Sequence, residues 1–151
     1  MPGFSRRGAL RSFALLAAAA VFTGALPSEA ATKAPLAIRG YDPVAYFTIG
    51  KAVTGRDDIE YEWGEQRYRF SRAEHRELFK ADPVRYAPQF PNFCAMALTR
   101  GELHEANPEH WLIADGKLYM FEFAKGPSLF KQNFSENTAK ANQNGALVRR
   151  K

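Results

Sequence analysis

Two apolar runs, Trp111-Leu112-Ile113-Ala114 and Lys117-Leu118-Tyr119-Met120-Phe121, are separated by the dipeptide Asp115-Gly116. Asp-Gly favours the type I′ turn because both of its residues tolerate positive φ, and that turn matches the right-handed twist of the strands it joins. The runs are therefore predicted to pair as an antiparallel hairpin, around which the rest of the chain must fold. A second hairpin is expected upstream. Ile59-Glu60-Tyr61-Glu62-Trp63 alternates apolar with charged residues, Gly64-Glu65 turns, and Tyr68-Arg69-Phe70 alternates again, which gives this pair one buried face. Helix-start signals stand around the hairpins. Asp42 can cap and Pro43 can open a short helix to about Phe47, and Asp82-Pro83 repeats the device for a turn through Tyr86. Ser71-Arg72-Ala73-Glu74 has the capping-box pattern and predicts a helix carrying His75, Leu78 and Phe79. After Gly126-Pro127, Ser128 is expected to cap a final helix with Leu129, Phe130 and Phe134 facing inward. The expected fold is α+β, a small single domain with two β-hairpins, short capped helices and a C-terminal helix.

Residues 1–30 have the three parts of a secretory signal: Arg6 and Arg7, an apolar run from Phe13 to Leu26, and small residues at Ser28 and Ala30. Cleavage is expected near Ala30. The run, about fourteen residues, is short of the roughly 20 that span a bilayer, so no stable membrane anchor is expected after cleavage. Ser5-Arg6-Arg7-Gly8-Ala9-Leu10-Arg11 is similar to the twin-arginine signal pattern, with Ala9 where Phe is common. That route implies a periplasmic protein that folds before export. The domain plan is a signal peptide over 1–30, a linker over 31–36, one folded domain over 37–145 and a basic tail over 146–151.

The net charge of +5 does not describe the folded part. Of 21 basic and 16 acidic residues, Arg6, Arg7, Arg11 and Glu29 lie in the signal, which leaves 18 against 15. Arg149, Arg150 and Lys151 supply that excess, so the body has no field that would gather phosphates, and nucleic-acid binding is not expected. Cys94 is the single cysteine, so no internal disulfide can staple the domain. Its core must rest on packing, for which 12 Phe, 6 Tyr and 2 Trp supply the mass.

Tyr68, Phe70, Phe79, Asp82, Pro83 and Tyr86 follow one another at a spacing that resembles the YHS domain: Tyr-x-Phe, two cysteine positions, a Phe, Asp or Asn with Pro, and a Tyr. The cysteine positions fall on Ser71 and His75, so the chain departs from the metal-ligand version of the pattern at both. Gly40-Tyr41-Asp42-Pro43-Val44-Ala45-Tyr46-Phe47, Tyr86-Ala87-Pro88-Gln89, Phe93-Cys94-Ala95 and Asp115-Gly116-Lys117-Leu118-Tyr119 further resemble an exported bacterial YHS subfamily, over nearly the whole chain beyond the signal. In that subfamily the position of Cys94 is usually Cys and in some members selenocysteine, which implies redox or soft-metal chemistry. Relatives tend to have two glycines where this chain has Pro91-Asn92. Pro and Asn restrict the backbone there, so ligand access near Cys94 is expected to differ.

Cys94 is the natural centre of any chemistry, since a thiolate is the best nucleophile and soft-metal ligand in the chain. A lone cysteine between Phe93 and Ala95 is also read as a small buried hydrophobe. Met96 would share a face with Cys94 if the segment were extended, a spacing compatible with Cu(I). Among the three histidines, His75 is favoured as a further ligand because it stands at a family cysteine position, whereas His104 and His110 lie in a Glu/Asn/Pro-rich loop and are read as solvated. Asp42 is explained by capping. No phosphate loop, His-Glu-x-x-His motif or nucleophile elbow is present, so hydrolase and nucleotide chemistry lack support. Three functions stay open: a metal-binding module, with copper favoured and zinc the alternative, using Cys94, Met96 and His75; a thiol redox protein in which Cys94 is the catalytic group and a partner protein resolves it; and a non-catalytic interaction domain.

Overall fold

Both expected hairpins form, as separate two-stranded antiparallel sheets, in the computed structural model, which describes residues 33–148. The segment read as a signal peptide, its expected cleavage near Ala30 and the Arg149-Arg150-Lys151 end of the expected tail lie outside the described residues. Among the described residues no helix is long and apolar enough to cross a membrane.

In the first sheet β1 (Arg56–Trp63) pairs with β2 (Gln66–Phe70), Tyr61 opposite Tyr68 and Glu60 opposite Arg69. Alternation does what it predicts. Ile59, Tyr61, Trp63, Tyr68 and Phe70 pack into one core, while Glu60 forms ion pairs with Arg67 and Arg69. Burial pushes the Glu60 carboxyl up, but hydrogen bonds from Arg69 and Arg67 outweigh it and hold Glu60 below the usual carboxylate range.

In the second sheet β3 (Asn107–Ala114) pairs with β4 (Lys117–Phe121) across Asp115 and Gly116, whose φ of 50° and 69° are those the type I′ turn demands. Irregular pairing lets β1 and β3 start earlier than the alternating residues suggest: the register shifts between Arg56 and Glu60, and again between Asn107 and Trp111. The second hairpin is buried on both faces. Trp111, Ile113, Leu118 and Met120 belong to the first core, and Leu112, Ala114, Tyr119 and Phe121 to a second.

A 3₁₀ turn (Ala37–Gly40) and α1 (Ala45–Thr48) lead into the first sheet, and α2 (Ala73–Ala81) and α3 (Pro83–Tyr86) follow it. Phe79 of α2 centres the first core, with ring centroids 4.7 Å from Tyr68, 5.3 Å from Phe70, 6.1 Å from Trp63 and 6.3 Å from Tyr61. α4 (Ala95–Leu98), α5 (Gly126–Gln132) and α6 (Phe134–Val148) enclose the second core. There Phe130 lies 5.3 Å from Tyr119 and 5.4 Å from Phe121.

Two caps differ from expectation. Ser71 does not cap α2, whose N-cap is Arg72 without a side-chain bond, because the Ser71 hydroxyl and N–H are both taken by Asp42. Ser128 lies inside α5, its hydroxyl donating to Lys125 O, since Pro127 already supplies a pre-set φ in the first turn. Leu129 does not face inward; it is 46% exposed. The Asp82-Pro83 start is as read, with Asp82 Oδ1 accepting from Arg85 N–H at 3.2 Å.

Candidate functional site

Cys94 ends an extended stretch and serves as N-cap of α4, so only the first residue of Cys94-Ala95-Met96 is extended and Met96 lies in the helix. Two interactions zip the preceding segment to a distant one. Cys94 N–H donates to His104 O at 2.8 Å, and Ala106 N–H donates to Asn92 O at 2.9 Å. This short antiparallel pairing, which includes a bridge between Phe93 and Glu105, sets His104 beside Cys94.

Asn92, at the start of this pairing, takes a backbone conformation unusual for a residue with a side chain. Its φ is 66°, in the left-handed region that glycine enters freely and that Asn tolerates best among other residues. Its side chain then adds anchors no glycine can make: Oδ1 accepts from Ile38 N–H at 2.6 Å and Nδ2 donates to Gln66 Oε1 at 3.0 Å.

A cavity of about 530 Å³ opens at Cys94. Cys94, Met96, Arg100, His104, Glu122 and Lys125 supply its polar and sulfur-bearing lining. Cys94 is 4% exposed and packs in the second core, as the hydrophobe reading expects, while it also lines this cavity. His104 has a half-exposed ring whose Nδ1–H donates to Glu122 Oε2 at 2.7 Å. A histidine held through one ring nitrogen by a carboxylate has its orientation fixed, and the other nitrogen, Nε2, lies 3.7 Å from Glu102 Oε2. Arg100 is gripped by Glu102, with Nη2 to Oε2 at 2.7 Å. That hydrogen bond raises the Arg100 pKa against the opposing effect of burial, with the charge of Glu102 adding to it. Among the described residues no group of three or more His, Cys, Asp and Glu side chains is arranged to hold a metal.

His75 is not part of this site. It is buried, its Nδ1–H donates to Asp42 Oδ2 at 2.6 Å, and its Nε2 lies 3.2 Å from Thr48 Oγ1, so both ring nitrogens are engaged. Asp42, fully buried, does more than cap. Oδ1 accepts from Val44 N–H at 2.9 Å and Ala45 N–H at 3.3 Å, and Oδ2 accepts from Ser71 N–H at 2.8 Å and Ser71 Oγ–H at 2.6 Å. The hydroxyl, imidazole and carboxylate of Thr48, His75 and Asp42 stand in the order of a nucleophile relay, but Thr48 Oγ1 donates to Val44 O at 3.1 Å and none of the three lines the Cys94 cavity. The cluster is a clamp joining α1 to the start of α2.

Cys94, Met96 and His104 thus line one cavity that His75 does not reach; Met96 does so from α4 and not from the extended face expected of it, and His104 is exposed, as its loop suggested. No local spacing links His104 to Cys94; ten residues separate them and only the backbone pairing joins them. His110 stays apart from the cavity, with Nδ1–H donating to Glu122 O at 2.9 Å. Comparison with family models, curated proteins and solved structures found no match for this chain.

Proposed function

We propose that this is an exported soft-metal-binding module of YHS type, taking Cu(I) through Cys94 Sγ, Met96 Sδ and an imidazole nitrogen of His104. The observation that carries the reading is that the only cysteine, Met96 and His104 line one cavity. A thiolate with a thioether and an imidazole is a soft set that favours Cu(I), whereas structural zinc wants four N or S ligands in a tetrahedron. Glu122 would hold the His104 ring, and Arg100 would offset the charge of the thiolate. His104 takes the ligand place that the sequence pattern gave to His75.

The test is Cu(I) titration of the full chain against a colorimetric chelator under reducing conditions. One equivalent is expected, lost in Cys94→Ala and weakened at least about tenfold in Met96→Leu and in His104→Gln. Absence of stoichiometric Cu(I), or equal uptake by Cys94→Ala, overturns the proposal. If the chain takes no Cu(I) yet Cys94 is oxidised by dilute peroxide in the folded state, the thiol redox reading replaces it.

A further inference from the structure

The cavity at Cys94 is far larger than a metal ion needs, and most of its wall has no metal-binding chemistry. Ala97, Phe123, Ala124 and Leu129 line it beyond the sulfur atoms. Phe123 is 66% and Leu129 46% exposed, so the mouth is framed by apolar surface left in water. A concave, mainly apolar space of several hundred Å³ with a few convergent polar groups is the usual form of a small-molecule site.

The charges of the lining select among small molecules. Glu122 is hydrogen-bonded by His104 and Arg100 is paired with Glu102, so each of these charges already has a partner. Lys125 has none. Its ammonium forms no ion pair among the described residues, and Lys125, an exposed residue, lines the cavity with Ala124 and Gly126. We infer that the cavity binds an amphipathic organic monoanion, its apolar body against Ala97, Phe123 and Leu129 and its single negative charge on Lys125. The inference does not rest on the copper reading, since it uses the wall and not the sulfur donors.

Gly126 shows why the wall is shaped as it is. A Cβ there would lie 2.6 Å from the Cβ of Phe121, so the start of α5 packs directly on the end of β4, and Phe123 and Lys125 belong to the short connection between them.

Isothermal titration of the full chain with decanoate, below its micelle concentration, and with decylammonium as the charge-reversed control tests the assignment. Saturable one-to-one binding of decanoate is expected, with decylammonium weaker by about five- to tenfold or more. Lys125→Glu should weaken decanoate by a similar factor while the circular dichroism spectrum stays that of the parent. Leu129→Trp, at a half-exposed position that tolerates bulk, should block binding by filling the cavity. Cys94→Ser should bind decanoate as the parent does, which separates this site from the metal reading. Equal affinity for both amphiphiles, no effect of Lys125→Glu, or no saturable binding of decanoate would overturn the inference.

Discussion

Tyr68 carries a fully buried hydroxyl with no hydrogen-bond partner among the described residues. Burial pushes its pKa up to about 12. A tyrosine with a raised folded-state pKa stabilises the native state fully below the unfolded value near 10, and that contribution is lost as pH rises toward 12, because only the unfolded chain then ionises freely. About 2–3 kcal/mol should disappear over this window. Tyr68→Phe removes the unpaired hydroxyl, so at pH 7 it should cost nothing or stabilise by up to about 1 kcal/mol, and its alkaline loss should be shallower than the parent's. Urea denaturation from pH 7 to pH 11.5 checks both, and a Tyr68→Phe variant less stable by more than about 1 kcal/mol at pH 7 would sink the idea. By contrast, Tyr46 OH donates to Pro108 O at 2.9 Å, so its hydroxyl contributes to the fold. At this scale the burial of Cys94 was legible in its flanks, Phe93 and Ala95, whereas the placing of His104 rather than His75 at its cavity was not, because it depends on which backbone segments pair.

At the scale of elements, caps and turns were read with uneven success, and the reason lies in reach. Asp115-Gly116 and Asp82-Pro83 act within four residues, where backbone geometry decides, and both form as expected. Ser71 also carries a local signal, but a buried carboxylate twenty-nine residues away outcompetes the helix N-terminus for its hydroxyl and N–H. Asp42 therefore holds α1 and the start of α2 at once. Asp42→Asn replaces a charged acceptor with an amide that cannot satisfy the Ser71 and His75 donors together, and should destabilise the protein by about 3 kcal/mol. Thermal denaturation measures this, and a variant within about 0.5 kcal/mol of the parent would show that the clamp does not matter to stability.

For the whole molecule, the α+β class and the two hairpins followed from periodicity and turn chemistry, but the division into two cores did not. An alternating pattern such as Tyr61, Trp63, Tyr68 and Phe70 announces one buried face. The nearly continuous apolar run of β4 is equally compatible with a strand covered on both sides, and what covers it comes from distant helices. Because Leu118 and Met120 pack in one core and Tyr119 and Phe121 in the other, neither core can lose its packing without exposing the shared strand. Trp63 and Trp111 report on the first core and Cys94 on the second. The midpoint read from tryptophan fluorescence in urea should coincide with that at which the Cys94 thiol becomes open to alkylation. Two separated midpoints would contradict a single cooperative unit. The shared strand also turns occupancy at one end into resistance at the other: any ligand of the Cys94 cavity draws on the folding equilibrium of the entire domain, so amides of β1 and β2, which touch no part of that cavity, should exchange with solvent deuterium more slowly when it is filled.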